Sequence, residues 1–284
     1  MEKTTNPQKK KSIKKLLVFL IPIIIIIVLV SAICLLPEKM YTVTEADYST
    51  LGTENTHLEY IYNSNGRLAS ITENGKDRYV YSYSDDFKTV TVENKNDNTK
   101  KILRFNDNFD IIEKIYSDGT TESYTYKKGK LISSKNTSDI TTEYKYKGKK
   151  LINEIYSNGD RVDYEYSWSR ILSETITTPT GERYYTFYHY NEDKTIQKKD
   201  MIYEVIHYTY DDKKRVISKT NTADASMSFT YDEHDNITSI IYPMPAAMKY
   251  TYTEFKFSKE VYKQNKSLIT YNDVIENEAY ELLR

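Results

Sequence analysis

The hydrophobic positions follow two different patterns along the chain. Between residues 16 and 36 no residue is charged and most are aliphatic. Beyond residue 57, apolar and aromatic residues alternate with polar ones in short runs, which is typical of strands with one buried face. The first pattern predicts a membrane-spanning helix, and the second predicts an all-β domain.

The uncharged segment 16–36 contains twenty-one residues. At a rise of about 1.5 Å per residue, a helix of this length matches a hydrocarbon core of roughly 30 Å. The preceding residues 1–15 contain six lysines and one acidic residue. Because positive charge is retained on the cytoplasmic side, we predict a signal-anchor with residues 1–15 in the cytoplasm, residues 16–36 in the lipid bilayer and residues 38–284 outside the cytoplasm.

Two alternatives remain for this segment. Val30 and Ala32 are small residues placed as in a signal peptide cleaved after Ala32, and cleavage there would release a secreted protein. Bacterial lipoproteins carry a lipid on a cysteine that follows a small residue, whereas Cys34 follows Ile33. The length of the run and its isoleucines favour the retained anchor.

The alternating part of the chain repeats itself. Pairs of mostly aromatic residues, two positions apart, recur at intervals of 20 to 24 residues. Residues two apart share one face of a strand, so both side chains of a pair lie on the same face. We call the second members of these pairs the ladder aromatics: Tyr62, Tyr83, Phe105, Tyr126, Tyr146, Tyr166, Tyr190, Tyr210, Tyr231 and Tyr252.

A turn-forming stretch rich in Asn, Asp, Gly and Lys follows the ladder aromatics, and an aliphatic residue such as Leu68, Leu151 or Leu172 then opens a second strand. Each unit is therefore predicted to be a β-hairpin. A lone hairpin is marginally stable in water, so every unit must pair with its neighbours. We predict about ten tandem hairpins over residues 58–257, forming a twisted or curled antiparallel sheet that is either open or closed.

Two units resemble a known repeat most closely. The segments YIYNSNGRL at residues 60–68 and FTYDEHDNI at residues 229–237 are similar to the consensus Tyr-x-Tyr-Asp-x-x-Gly-Arg-Leu of the Rhs, or YD-repeat, family. The resemblance covers residues 58–257 and implies a shell of antiparallel strands. Family members often enclose a carboxy-terminal toxin, but the thirty-two residues after Tyr252 are too few for a catalytic domain. The resemblance therefore implies a short, degenerate member without a toxin domain.

The ends of the array lack the repeat. Residues 37–57 are predicted to be a linker and the first edge of the sheet. Residues 258–284 are predicted to form a carboxy-terminal cap that ends in a short helix. The apolar residues Ile275, Ala279, Leu282 and Leu283 lie on one face of that helix, as expected for a segment that covers the last strand.

Composition narrows the function classes. The chain has 29 tyrosines and a formal net charge of -1, and residues 38–284 contain 34 basic and 40 acidic residues. This balance is not that of a nucleic-acid-binding protein. The single cysteine rules out an intrachain disulfide and a cysteine-based zinc site. The sequence also lacks a Gly-rich phosphate loop, a Gly-x-Ser-x-Gly elbow and a His-Glu-x-x-His motif, so we predict no enzyme activity, no cofactor and no metal.

The tryptophan in the sixth unit is the best candidate for a contact residue. Trp168 lies at a predicted hairpin tip between Tyr166 and Arg170, and such tips are normally polar. Either the ring folds back over the core, or Tyr166, Trp168 and Arg170 contact a ligand or a partner. The ladder aromatics likewise either pack across the strands or form an exposed strip that stacks on sugars.

These features predict a membrane-anchored, extracytoplasmic binding module without catalytic activity. Its partner would be a glycan, a wall polymer or a protein, in addition to the bilayer around residues 16–36. The alternative is an accessory, remnant or immunity-type protein of an Rhs-like toxin system.

Overall fold

A computed structural model describes residues 38–50, 55–243 and 246–272. In these ranges the chain forms twenty strands followed by helix α1 (Lys259–Asn272). The strands are β1 (Glu38–Thr50), β2 (Thr56–Tyr62), β3 (Leu68–Glu73), β4 (Lys76–Tyr83), β5 (Thr89–Asn94), β6 (Lys100–Phe105), β7 (Ile111–Ile115), β8 (Thr121–Lys127), β9 (Lys130–Lys135), β10 (Thr141–Lys147), β11 (Lys150–Tyr156), β12 (Arg161–Ser167), β13 (Arg170–Thr177), β14 (Arg183–Tyr190), β15 (Ile196–Met201), β16 (Val205–Tyr210), β17 (Val216–Thr220), β18 (Ser226–Tyr231), β19 (Ile237–Ile241) and β20 (Ala246–Phe257).

The strands form one closed antiparallel sheet. Each strand pairs with the next one in sequence, and β20 returns to β1, with Phe257 opposite Glu38 and Ala246 opposite Thr50. The prediction that residues 37–57 form a linker and an edge is corrected by this pairing. Strand β1 is hydrogen-bonded to β20 on one side and to β2 on the other, so closure removes the edge.

The sequence repeat corresponds to one hairpin, as predicted. Apart from Tyr252, which lies within β20, each ladder aromatic lies at or near the end of an even-numbered strand, and an odd-numbered strand follows after a turn. Asn63, Asp211 and Asp232 directly follow ladder aromatics. Their side-chain oxygens accept the backbone N–H four residues further on, at 2.9 Å in each case. This bond holds the turn and explains the Asp or Asn of the repeat.

A β-bulge accompanies the ladder aromatic in eight of the nine hairpins from β2–β3 to β18–β19. In β12–β13, Tyr166 pairs with Ile171 and Glu165 pairs with Ser173, so Leu172 is the extra residue. The prediction that Leu172 opens this strand is therefore wrong, because Ile171 takes that place. Two adjacent aliphatic residues look alike in a sequence pattern, and the bulge decides which of them pairs.

Tyrosine hydroxyls join neighbouring hairpins. At six of the nine junctions between hairpins the two strands pair over only three residues and separate towards the bulge. In four of these gaps a ladder tyrosine donates its hydroxyl to the carbonyl of the aliphatic residue at the start of the preceding odd strand. Tyr146 donates to Leu131 at 2.9 Å, and Tyr166 donates to Leu151 at 2.8 Å. Carbonyl groups beyond the paired part of the strands are satisfied in this way.

The same bond is formed at four further positions by Tyr83, Tyr190, Tyr210 and Tyr231. A basic residue directly before the aliphatic one covers the same ring: Lys130 Nζ lies 5.0 Å from the ring centroid of Tyr146. This cation–π contact recurs with Lys150 over Tyr166, Arg170 over Tyr190 and Arg215 over Tyr231. The basic residue at the Arg position of the repeat consensus therefore packs on an aromatic ring of the next hairpin.

The apolar core lies on one side of the closed sheet. Its buried hydrophobic cluster comes from β1–β6, β18–β20 and α1, which we call the apolar half. Leu68, Leu103 and Ile240 are fully buried there. Strands β7–β17, which we call the polar half, carry half-buried side chains at the corresponding positions. The two halves of the closed sheet are therefore stabilised differently.

Helix α1 is fixed to the turns of the apolar half. The Asn265 side chain accepts the N–H of Leu68 at 3.0 Å and donates to the carbonyl of Gly66 at 2.8 Å. Buried Gln264 accepts from Arg67 Nε at 3.0 Å and donates to the carbonyl of Phe87 at 2.6 Å. These bonds satisfy backbone groups at two hairpin turns, so α1 is an integral cover of the core.

Several predicted segments lie outside the described residues. They are the cytoplasmic segment 1–15, the membrane-spanning segment 16–36 and the amphipathic helix expected after residue 272. No helix in the described ranges combines the length and hydropathy needed to cross a bilayer. The predicted cap, residues 258–284, instead contains α1 at its start, a helix that the sequence patterns did not reveal.

Candidate interaction surface

We call the face of the sheet that carries the ladder aromatics the inner face. The residue types on this face differ between the apolar half and the polar half of the closed sheet. One inner-face residue of most odd-numbered strands lies opposite the first member of the aromatic pair. It is apolar in the apolar half, as Ile71, Val92 and Ile240. It is ionisable at five positions of the polar half, namely Lys114, Glu154, Glu174, Lys199 and Lys219.

Tyrosine hydroxyls surround the carboxylates of the polar half. Glu122 accepts a hydrogen bond from Tyr116 at 2.9 Å and another from Tyr124, and it forms an ion pair with Lys114 at 2.9 Å. Burial opposes ionisation of Glu122, but these partners outweigh it and hold the pKa of this carboxyl below its usual value. Glu154 is bonded in the same way by two tyrosine hydroxyls, each at 2.7 Å. These groups already have partners, which favours a packing role.

A cleft of about 270 Å³ lies between α1 and the inner face, lined by Asp110, Ile111, Lys114, Tyr124, Tyr126, Lys263 and Ser267. Lys263 donates to Asp110 and to the carbonyl of Asn108, the latter at 2.8 Å. Because Lys114 is paired with Glu122, both cations beside the cleft are neutralised. Among the described residues, no three His, Cys, Asp or Glu side chains are grouped as a metal site would require. The described residues that line the cleft therefore do not indicate a catalytic or metal-binding role for it.

Trp168 is a different case. It is the first residue of the turn between β12 and β13, with a φ of 55° and an exposed fraction of 88%. The interpretation that the ring folds back over the core is therefore wrong. At the same place in the preceding hairpin stands Gly148, with a φ of 61°. Left-handed backbone costs a residue with a side chain about 1 to 2 kcal/mol, so the chain maintains an exposed indole on an unfavourable turn residue.

The structure does not gather the three predicted contact residues into one site. Tyr166 points to the preceding hairpin, where its hydroxyl bonds Leu151, and Arg170 lies over the ring of Tyr190 in the following hairpin. Both side chains serve the repeat, whereas Trp168 faces solvent. Binding by these residues stays a prediction, and the indole is the member of the set that is free to contact a partner.

The other ladder aromatics are placed as packing residues. They lie on the inner face, half-buried or buried, and six of them direct their hydroxyls at neighbouring strands. Burial raises the pKa of Tyr210 to about 12, as expected for a phenol held between strands. The geometry favours cross-strand packing over an exposed sugar-binding strip for this set.

Exposed apolar side chains cluster in the polar half. Of the eleven large hydrophobic residues exposed in the described part of the chain, eight lie between residues 168 and 203. They are Trp168, Leu172, Ile176, Tyr184, Tyr185, Phe187, Ile202 and Tyr203. Sequence reasoning found the first of these and missed the rest. The missed signal is that β14 has aromatic residues where β8, β10 and β12 have polar ones.

Comparisons with known proteins give little beyond this. No protein-family model matches the chain. No curated protein matches it either. Among solved structures it is similar to a TcdB2-TccC3 protein at 9% identity, with 76% of this chain and 20% of that chain covered and a TM-score of 0.30.

Two further solved structures are similar to it. The Tc holotoxin pore of Photorhabdus luminescens is 12% identical, with 70% of this chain and 14% of that chain covered and a TM-score of 0.32. A porin-like protein from Bacteroides uniformis is 12% identical, with 74% and 96% covered and a TM-score of 0.32. The chain thus spans a fifth or less of the toxin chains that it matches, and at these scores none of the likenesses assigns a function.

Proposed function

We propose that the chain is a non-catalytic binding module built from YD-type hairpins and displayed outside the cytoplasm by a membrane anchor at residues 16–36. The observation that carries the proposal is the concentration of exposed apolar side chains between residues 168 and 203. They lie on both faces of the sheet, with Ile176 opposite Tyr184 on one face and Tyr185 beside Phe187 on the other, and exposed apolar side chains in such number favour contact with a partner. The turns with Asn63, Asp211 and Asp232, and the basic–aliphatic pairs that serve the next tyrosine, support the relation to YD repeats.

Trp168 supports the proposal by its exposure. Positive φ alone does not distinguish it, since Lys128 stands at the same place in the β8–β9 turn with a φ of 51°. An indole that is 88% exposed at a turn gains little from burial, which favours contact with a partner.

The single tryptophan provides the test, because its fluorescence reports on this tip alone. We expect red-shifted emission and ready quenching by iodide in the full chain. Addition of cell-wall sacculi or of an extracellular protein fraction should shift the emission to the blue and protect it from iodide. If none of these materials changes the emission, Trp168 is not a contact residue.

A Trp168→Gly variant is the matched control for stability. It should fold at least as firmly as the parent chain and gain up to about 1 kcal/mol, because the turn strain is relieved. Its binding to the material that shifted the tryptophan emission, measured by co-sedimentation, should fall. A variant that is destabilised yet still binds would contradict the proposal.

A second candidate function is that of an accessory or immunity-type protein in an Rhs-like toxin system. It is favoured by the similarity of residues 60–68 and 229–237 to the YD consensus. A toxin gene beside this one, whose growth inhibition is relieved by co-expression of this chain, would support it. If the Trp168→Gly variant no longer relieves the growth inhibition, the toxin would bind at the same turn.

A further inference from the structure

Strand β14 departs from the repeat on the outer face, the side of the sheet opposite the ladder aromatics. The two outer-face positions five and three residues before the ladder aromatic are polar in β8, β10 and β12, where they hold Thr121, Ser123, Thr141, Glu143, Arg161 and Asp163. In β14 the same positions hold Tyr185 and Phe187. The repeat does not need aromatic rings there, so they call for a separate explanation.

The two rings lie parallel to each other. Their centroids are 6.0 Å apart and their planes differ by 5°. Tyr185 is 38% exposed and Phe187 is 49% exposed, although both belong to the middle part of a paired strand. We call these two residues the aromatic platform. Two parallel, exposed rings on one face of one strand present apolar surface about two side chains long.

Polar residues border the platform. Thr175 lies opposite Tyr185, while Ser173 and Asp200 lie opposite Phe187 on the two neighbouring strands. This border distinguishes the platform from the centre of a protein–protein interface, where apolar residues are contiguous and charged ones are depleted.

The charges beside the platform compensate one another. The Asp200 carboxylate lies 3.0 Å from Lys198 Nζ and 3.7 Å from His189 Nε2. On the other side, Ser173 donates to Glu165 at 3.2 Å, and the nearby Arg161 is paired with Asp163. Donors and acceptors are therefore present on both sides of the rings without a strong excess of either charge.

We propose that the aromatic platform binds a neutral glycan, with consecutive pyranose rings stacked on Tyr185 and Phe187. The C–H face of a pyranose is flat and apolar and suits an aromatic face, while its equatorial hydroxyls reach the surrounding polar side chains. The assignment rests on the proposed function as a binding module and names the ligand class for one part of its surface.

The experiment uses the full chain in a sugar-free detergent and two extended neutral probes, chitohexaose and cellohexaose, with binding followed by isothermal titration calorimetry. The decisive variant is Tyr185→Thr/Phe187→Ser, which restores residues found at the same positions of β8 and should therefore fold. We expect at least one probe to bind the parent chain and its affinity to fall by about tenfold or more in the variant. Tyr185→Trp should retain binding.

The matched control is Ile241→Ser, which removes an apolar side chain that is 51% exposed at the end of β19, outside residues 168–203. Its affinity for the probe should stay within about twofold of the parent chain, or less than about 0.5 kcal/mol. Equal loss in Ile241→Ser, unchanged binding in the platform variant, or no binding of either hexasaccharide would each overturn the glycan assignment. Failure of the binding-module proposal is recognised separately, by a tryptophan emission that no partner changes.

Discussion

Leu68 and Leu151 occupy the same position of the repeat, Leu68 in the apolar half and Leu151 in the polar half of the sheet. Leu68, at the start of β3, is fully buried, and its N–H is bonded by Asn265 of α1. Leu151, at the start of β11, is half-buried. Both carbonyls accept a tyrosine hydroxyl, that of Leu68 from Tyr83 and that of Leu151 from Tyr166. The hydroxyl bond is thus common to both halves, whereas full apolar burial and the bond to α1 belong to the apolar half.

This difference explains where the candidate contact residues lie. In the polar half each hairpin is held to the next by polar contacts on the inner face, with Tyr146 and Tyr166 as examples. The outer face and the turns carry less of the stability there and are freer to accept unusual residues. Trp168, Tyr185 and Phe187 all lie in this half: Trp168 in the turn between β12 and β13, and Tyr185 and Phe187 on β14.

The largest effect is expected from truncating the two leucines. Leu68→Ala removes a fully buried side chain and should lower the free energy of unfolding by about 3 to 4 kcal/mol, through lost transfer energy and a cavity. Leu151→Ala removes a half-buried one and should cost about 1 to 2 kcal/mol. Urea denaturation of the full chain, followed by circular dichroism, measures both. Equal losses would show that the two halves do not differ in burial.

The sequence predicted the repeating unit because its physical cause is local. A ring at every second residue and a turn-forming Asp or Asn after it, as at Tyr231 and Asp232, identify a hairpin without knowledge of its neighbours. The structure confirms the antiparallel sheet of hairpins. The prediction failed by one residue at Leu172, because a bulge changes the pairing without changing the alternation that reveals a strand.

Closure and the helix could not be read from the sequence in this way. Strands β1 and β20 pair across about two hundred residues, and β1 lacks the repeat, so no local pattern marks it as a partner. Helix α1 is fixed by buried Gln264 and Asn265, whose partners are backbone groups of distant turns. Its polar contact residues hide the hydrophobic periodicity that reveals most helices. The exposed rings of β14 could not be recognised as unusual until the equivalent positions of the repeats were known.

A smaller effect is expected from removing one hydroxyl. Tyr146→Phe deletes the bond to the Leu131 carbonyl and should cost about 1 kcal/mol in the same denaturation measurement. Phe105 supplies a natural control. The preceding hairpin, β4–β5, has no bulge, and Phe105 bonds the Lys88 carbonyl through its own backbone N–H at 2.8 Å. Phe105→Tyr should therefore bring no gain, and a stabilised variant would show that the hydroxyl is not tied to the bulge.

The smallest effect is a pH dependence specific to the polar half. The pKa of Glu122 is held below its ordinary value of 4.5, with burial opposing the shift and Tyr124, Lys114 and Tyr116 producing it. A lowered pKa in the folded chain means that Glu122 adds stability above pH 4.5 and that this contribution is lost as the pH falls through the folded value. Since the pair with Lys114 is partly solvated, we expect less than about 1 kcal/mol. Glu122→Gln should therefore be less stable than the parent chain at neutral pH, and the difference should be smaller at about pH 3, where acid has begun to remove the contribution of the carboxylate. Urea denaturation at the two pH values measures this, and a difference that persists unchanged in acid would show that Glu122 acts through its shape and not through its charge.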